Sequence, residues 1–446
     1  MDRSKNKNGT VSTDYEFSDQ ELNWNSLNLD AYSQGSFRQS LRNSIVSSLK
    51  EEVPQQNIAA TKAASVVDSV LCSSVCNVDD LKQSFDELHE AFMDVYEKAE
   101  IARQLRRRRY ICATGLVISP DHCTDTIKDI RRIYAFIKGI DQAIRDQWNK
   151  RQNTIQIVYP ACGPFAPLLL PLISFYQQQD LFSPEQIRIT LIDMQEGAIQ
   201  GLNALIKNLG ITSYIENVVC GNAMEYQAPN QVDMVVLEAL QHGFSREGHL
   251  CLAKHFADML KDDGVFLPEQ ISISAALNVG QREYVDQWNP DSNQNEALEI
   301  QQQIRSERTQ LGEILKVNLP MLKAMKITQQ DEHTALYECG EVKIPDLPKN
   351  KEKQVLLIQT DIIVFGQWGI GEYDSGITHP LPDLKVCINF NPRSPEPDDL
   401  LVKSGDSLKF YYCMNGLPGF LPIRIDSFKH PQKSLENANT EAEEYA

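Results

Sequence analysis

The sequence predicts an α/β protein, with a doubly wound parallel sheet, an N-terminal helical subdomain ahead of it and a C-terminal antiparallel β sandwich or barrel behind it. Three observations predict it. Helical periodicity dominates up to about residue 150, short β-branched runs alternate with amphipathic helices from Thr154, and the period falls to two after Thr334. At 446 residues and 42% hydrophobic, the chain can bury a large core divided over two or three domains. The expected boundaries are 1–58 for a flexible tail, 59–150 for the helical subdomain, 151–280 for the parallel sheet, 281–332 for a helical insertion, 333–430 for the β domain and 431–446 for a second flexible tail.

The first forty residues are polar and rich in Asn and Ser, without an apolar core or cleavage-type site, so they read as a tail rather than a signal peptide. No run of ~18 apolar residues offers a membrane span. The formal net charge of −18 repels nucleic-acid phosphate. Arg106–Arg109, the one basic cluster, points around a helix end rather than along a stripe, and reads as solvated. Ten scattered cysteines point to a reducing, cytoplasmic setting. Cys72 and Cys76 have the spacing of one helix face, but no second Cys or His pair completes a zinc site, so no metal is expected.

Leu81, Phe85, Leu88, Phe92, Tyr96, Ala99 and Ala102 recur in steps of three and four, the mark of an amphipathic helix. A second helix is expected over 124–148, capped by Thr124 or Asp125. "IQIVY", "IRITLIDM", "IENVVCG" and "QVDMVVLEAL" read as buried parallel strands, separated by helical "PLLLPLISFYQQQ" and "EGAIQGLNALIKNLG". A helix over "REGHLCLAKHFADMLKDDG" and a strand over "VFLPEQISISAAL" follow. Residues 295–328 read as partly helical and broken at Pro320, either a dimer arm or a core helix pair. Beyond them, "TALYECGEVKI", "KQVLLIQTDIIVFGQWGIG", "LKVCINFNP" and "GDSLKFYYCM" read as antiparallel strands.

In an open parallel sheet, ligands sit at the carboxyl ends of the strands. The loop after the first strand, Tyr159-Pro-Ala161-Cys-Gly163-Pro-Phe, has the small Ala161 and Gly163 that let backbone approach a ligand. The second strand ends in Asp193, placed to accept hydrogen bonds from ribose hydroxyls and followed by Met194. After the third comes "CGNAMEY", where Asn222 and Glu225 can read a purine edge beside Ala223. Asp193 can equally be an ordinary loop acid, and the turn a plain strand-to-helix connection.

This order of features resembles the S-adenosylmethionine-dependent methyltransferases of the Rossmann type over about Thr154 to Leu277, and "MLKDDGVFLP" is similar to the "LKPGG-x-x-x-P" stretch of many members. Within them the chain looks most like the protein arginine methyltransferases, which carry two glutamates nine positions apart after the fourth strand and a C-terminal β-barrel. Glu238 and Glu247 have that spacing. The resemblance implies S-adenosyl-L-methionine as cofactor, held by Tyr159, Ala161, Gly163, Asp193, Met194, Asn222, Ala223 and Glu238. It also implies Glu238 and Glu247 as the catalytic pair that holds a nitrogen nucleophile on a protein, peptide or small-molecule acceptor.

Two carboxylates can hold a planar guanidinium in bidentate hydrogen bonds. The chain departs from the family at Tyr159, where an acid is usual, at Ala161 and Phe165, where glycines are usual, and at Ala239–Gln241 after the first glutamate. Three other readings stay open. The reaction can be aminocarboxypropyl transfer or cyclisation on a small molecule, the chain can be a non-catalytic methyltransferase-like binding scaffold, or the two glutamates can be a loop acid and a helix-dipole partner. His242 and His249 flank the same loop and can serve as bases, but read first as exposed or structural histidines, and "WGIGEYDSGITHP" reads as a strand bend or a substrate-facing loop.

Overall fold

Asn57 accepts a hydrogen bond from the Ala60 amide and starts α1 (Ile58–Cys72), and Asn77 does the same for α2 (Val78–Lys98) through the Asp79 amide. These helices open the computed structural model, which describes residues 57–288, 294–347 and 353–425. The tail readings for 1–56 and 426–446 lie outside the described residues. The α2 stripe is buried at Leu81, Phe85, Leu88, Phe92, Val95 and Tyr96, while Ala99 caps its C-terminus and Ala102 lies beyond it. Because α1 ends at Cys72, Cys76 sits in the next turn, so the two thiols do not share a helix face.

Arg107, Arg108 and Arg109 are exposed, as a solvated end requires. Arg106 departs from that reading. It makes a two-pronged pair with Glu97 at 2.6 Å, reaches Asp121 at 2.7 Å and lies 4.8 Å over the Tyr96 ring.

A hairpin that the sequence reading did not foresee follows, β1 (Tyr110–Cys112) against β2 (Gly115–Val117). The second long helix, α3 (Ile130–Arg151), is capped by Asp129 rather than by Thr124 or Asp125, which lie in a 3-10 turn over Thr124–Lys128.

The parallel strands are β3 (Ile155–Pro160), β4 (Ile187–Asp193), β5 (Ile215–Cys220), β6 (Val232–Val236) and β7 (Leu260–Leu267). They are linked by α4 (Leu170–Gln178), α5 (Glu196–Leu209) and α6 (His249–Ala257). Their order is β5-β4-β3-β6-β7, every pair parallel, so the chain reverses direction across the sheet between β3 and β6. β6 is wholly buried and β3 and β4 nearly so, whereas β5 forms an edge and shows more of itself to solvent. The expected long helix into "KDDG" stops at Ala257. Lys261–Gly264 instead form part of β7, with a register shift against β6 between Val232 and Met234.

β8 (Gln270–Val279) leaves the parallel sheet. It pairs antiparallel with β9 (Thr309–Asn318) and with β11 (Gln354–Phe365), so the antiparallel part of the fold begins before residue 280. The segment read as a broken helix holds a helix at Gln294–Glu307, then β9, then a short helix at Leu319–Ala324 with Pro320 in its first turn, where a missing amide costs nothing. β11 also pairs with β12 (Trp368–Ile370). A second antiparallel sheet joins β10 (Ala335–Lys343) to β13 (Ser407–Cys413) and β13 to β14 (Gly419–Arg424). The sheets meet where β10 crosses β9, at Gly340, whose Cβ would lie 3.0 Å from the Glu313 carbonyl oxygen.

Candidate functional site

Three connected hollows open at the carboxyl ends of β3, β4 and β6, beside the β3/β6 reversal. The first, a strand-end pocket, lies between strand ends and hairpin and is lined by Ala161, Asp193, Met194, Asn222 and Ala223 together with Leu116, Val117 and Leu252. The second, an inner cavity, is lined by Tyr159, Ala161, Gly163, Arg132, Glu238 and Glu247. The third, an outer mouth, is lined by His122, Asp125, Asp129, Arg132, His242 and Glu247. Of the candidate residues, Tyr159, Gly163 and Glu238 therefore face the inner cavity, while Asp193, Met194, Asn222 and Ala223 face the strand-end pocket. Glu247 lines all three.

The loop after β3 turns tightly, with Ala161 at φ 53° and Gly163 at φ 66°. Tyr159, near the end of β3, is buried. The loop is held by Asp193, which accepts the Gly163 amide at 2.9 Å on one oxygen and the Gln195 amide at 2.8 Å on the other. Burial pushes the Asp193 carboxyl up, and the Gln195, Gly163 and Met194 amides oppose that shift. With three amides on about four acceptor sites, the carboxylate keeps acceptor capacity for a ligand. Asn222 uses its own side chain locally, accepting the Met224 amide at 3.1 Å and donating to Glu225 at 3.3 Å.

Glu238 follows β6 after Leu237, and Glu247 precedes α6. The chain between them is a tight loop bridged from Gln241 to Ser245, with Gly243, Phe244 and Arg246 at positive φ. A side chain at Gly243 would place its Cβ 2.4 Å from that of Leu381. The antiparallel sheets support this loop, since Tyr412 donates to the Phe244 carbonyl at 3.0 Å and the Arg246 amide donates to the Pro418 carbonyl at 2.7 Å.

Arg132, on α3, donates to Glu238 at 3.2 Å and to Asp129 at 2.8 Å, and Ser375 donates to the same Asp129 oxygen at 2.6 Å. Burial pulls the Arg132 guanidinium down, but the Glu238 and Asp129 charges outweigh it and hold it charged. For Glu247, burial first and then the Glu238 charge push the carboxyl up to about 8, against a hydrogen bond from Gln241 and the charge of Arg132.

His249 is buried and neutral, driven down to about 3 by burial, and reads as structural. His242 faces the outer mouth, where burial and then Arg246 lower it. The "WGIGEYDSGITHP" segment spans β12 and the loop after it. Trp368 bonds Gln142 of α3 at 2.9 Å, while Gly376 and Ile377 line the outer mouth.

Sequence reasoning missed Arg132, Asp129, Gln195 and the hairpin. Asp129 was readable as the cap ahead of "IRRIYAFI", and the short apolar runs around Ala113-Thr114-Gly115 carry a hairpin turn signal. Nothing local marks Arg132 or Gln195.

No protein-family model and no curated protein matches the chain. Among solved structures, it is similar to Arabidopsis thaliana protein arginine methyltransferase 10 in an open conformation, at 11% identity over 66% of this chain and 87% of that one, with a TM-score of 0.38. It is also similar to the Trypanosoma brucei PRMT1 enzyme–prozyme heterotetrameric complex with AdoHcy, at 12% identity over 68% of this chain and 97% of that one, with a TM-score of 0.36. Among the described residues, no helix is long and apolar enough to cross a membrane, and no cluster of three or more His, Cys, Asp or Glu side chains could hold a metal.

Proposed function

We propose that the chain is an S-adenosylmethionine-dependent methyltransferase whose acceptor is a nitrogen, held as part of a cation by Glu238 and Glu247. One observation carries the reading: Glu247 stands where the strand-end pocket, on this reading the nucleoside pocket, meets the inner cavity and the outer mouth. The residues present suit the cofactor. Ala161 and Gly163 form a tight turn beside the pocket, Met194, Ala223 and Leu252 give an apolar wall for a base, and Asp193 retains acceptor capacity for hydroxyls. S-adenosylmethionine, when bound, supplies an electrophilic methyl group on a sulfonium.

The chain's own residues do the rest. Arg132 fixes one Glu238 oxygen, so that the other side of that carboxylate can receive an N–H of the acceptor. Glu247, pushed up to about 8, is neutral at pH 7 in the empty site and ionises as a guanidinium-like cation enters and stabilises the charged form. A carboxylate of raised pKa is also the better proton acceptor as the nitrogen forms its new bond to carbon and gives up a proton. The outer mouth also carries Asp125 and Asp129, the first paired with Lys128 and the second with Arg132. The free state of all ten cysteines fits a reducing compartment.

Calorimetry with S-adenosylmethionine, followed by product analysis, tests this. Methyl transfer yields S-adenosylhomocysteine, whereas aminocarboxypropyl transfer yields methylthioadenosine. Glu238→Gln and Glu247→Gln are expected to lower turnover by two orders of magnitude or more (~10²) and to spare cofactor affinity. Unchanged turnover in both variants would end the proposal.

A further inference from the structure

The Tyr110–Val117 hairpin forms one wall of the nucleoside pocket, through Cys112, Thr114, Gly115, Leu116 and Val117. Its base and its tip are both fastened to functional parts of the molecule. At the base, the Gln195 side-chain amide donates to two backbone carbonyls, Arg108 at 3.0 Å just before β1 and Ile118 just after β2. Two acceptors on one side assign the NH2 group to that side, and the Gln195 Oε1 is left buried with no partner. Leaving a buried acceptor unmade is costly, so the amide's placement is set by the two hairpin carbonyls it joins.

At the tip, the Leu116 amide donates to the Arg246 carbonyl at 2.8 Å, and the Gly416 amide donates to the Ala113 carbonyl at 3.0 Å. A Cβ on Gly115 would lie 2.7 Å from the Gly248 nitrogen. Arg246 and Gly248 are the two chain neighbours of Glu247.

We propose that this hairpin is a lid over the nucleoside pocket, latched at its base by Gln195, and that its closure sets the position of Glu247. Gln195 is then a positioning residue. It follows Asp193 by two residues, and the Asp193 carboxylate holds both the Gln195 amide and the Gly163 amide, so the latch and the ligand-binding loop share one anchor. A nucleoside seated against Asp193 and under Leu116 packs on the closed hairpin, and the closed hairpin holds the backbone on both sides of Glu247. Filling the pocket thereby readies the acceptor site.

The inference rests on the nucleoside reading of the pocket, and the experiment separates the two. Backbone hydrogen exchange over residues 108–118 is followed in the full chain, with and without S-adenosylhomocysteine, in the wild type and in Gln195→Met, which keeps the shape and removes both donated bonds. In the wild type, saturating S-adenosylhomocysteine is expected to slow exchange in the hairpin by about tenfold or more. Without ligand, Gln195→Met is expected to speed exchange there by a similar factor while leaving α5 unchanged. It is also expected to lower kcat more than it raises the KM for the acceptor, since it displaces Glu247 without touching the acceptor's other contacts.

If S-adenosylhomocysteine fails to bind the wild type, the nucleoside reading falls, and the ligand-free comparison still decides the latch. Equal hairpin exchange in the two ligand-free proteins overturns the latch. If Gln195→Met does not fold, the wild-type ligand comparison decides the lid, and a hairpin that exchanges at the same rate when saturated overturns it.

Discussion

Glu247 and His249 stand two residues apart and are shifted in opposite senses, which gives the ligand-free chain a definite pH signature. The Glu247 carboxyl titrates at about 8 in the folded chain, against ~4.3 for an unfolded glutamate. Its neutral form stabilises the fold fully below the unfolded value, and that stabilisation is lost as pH rises through about 8. The His249 imidazole is driven down to about 3, so its contribution is present above ~6.5 and lost as pH falls through about 3.

Thermal melts between pH 5 and 9 are therefore expected to show falling stability in the wild type and a flatter profile in Glu247→Gln. A wild-type profile no steeper than that of the variant would contradict the assigned shift. Acceptor binding is expected to release close to one proton at pH 7, read by calorimetry in buffers of different ionisation enthalpy, and Glu247→Gln should abolish the release.

At the scale of elements, the loop from Glu238 to Glu247 owes its shape to contacts outside the parallel sheet. Tyr412→Phe leaves the buried Phe244 carbonyl without its donor and should cost about 1–3 kcal/mol of stability. Turnover should fall while affinity for S-adenosylhomocysteine stays the same, which melts and a binding titration can check together. The same elements show what the sequence could reveal. Strand ends announce themselves through β-branched runs followed by small or acidic residues, so Ala161, Gly163, Asp193 and Glu238 were legible as members of one crevice, while Glu247 was reached only through the family resemblance. Arg132 was not, because a single arginine in "RRIYAFI" acquires its role only when α3 is laid beside β6. Nor was β9, whose segment reads as part of a broken helix, nor the sheet to which β8 belongs, which its pairing with β9 and β11 assigns.

At the scale of the molecule, a second buried charge cluster ties the helical segment after β8 to the loop beside the outer mouth. Arg308 bonds Glu283 through two nitrogens and reaches Glu372 at 2.6 Å, with Asn278 and Tyr373 completing the shell of Glu283. Glu283 is 0% exposed and Arg308 1% at the side chain, so neither can turn to water. Arg308→Met is expected to destabilise by about 3–5 kcal/mol, because it strands two carboxylates, and urea unfolding measures this. A double replacement of Arg308 and Glu283 by apolar residues should recover part of the loss. The overall architecture was legible from the change of period along the chain, while this cluster was not, since its bonded partners lie up to 90 positions apart.

The bonds around Pro418 carry a consequence for how the protein is made. The short stretch from Met414 to Pro418, close to the last described strand, accepts from Cys251 and Arg246 and donates to Ala113. During synthesis the parallel sheet can form while this stretch is still inside the ribosome, so on the proposed reading a nascent chain holds its strand-end pocket before the loop from Glu238 to Glu247 is supported. A chain truncated ahead of Met414 is then expected to bind S-adenosylhomocysteine without turnover.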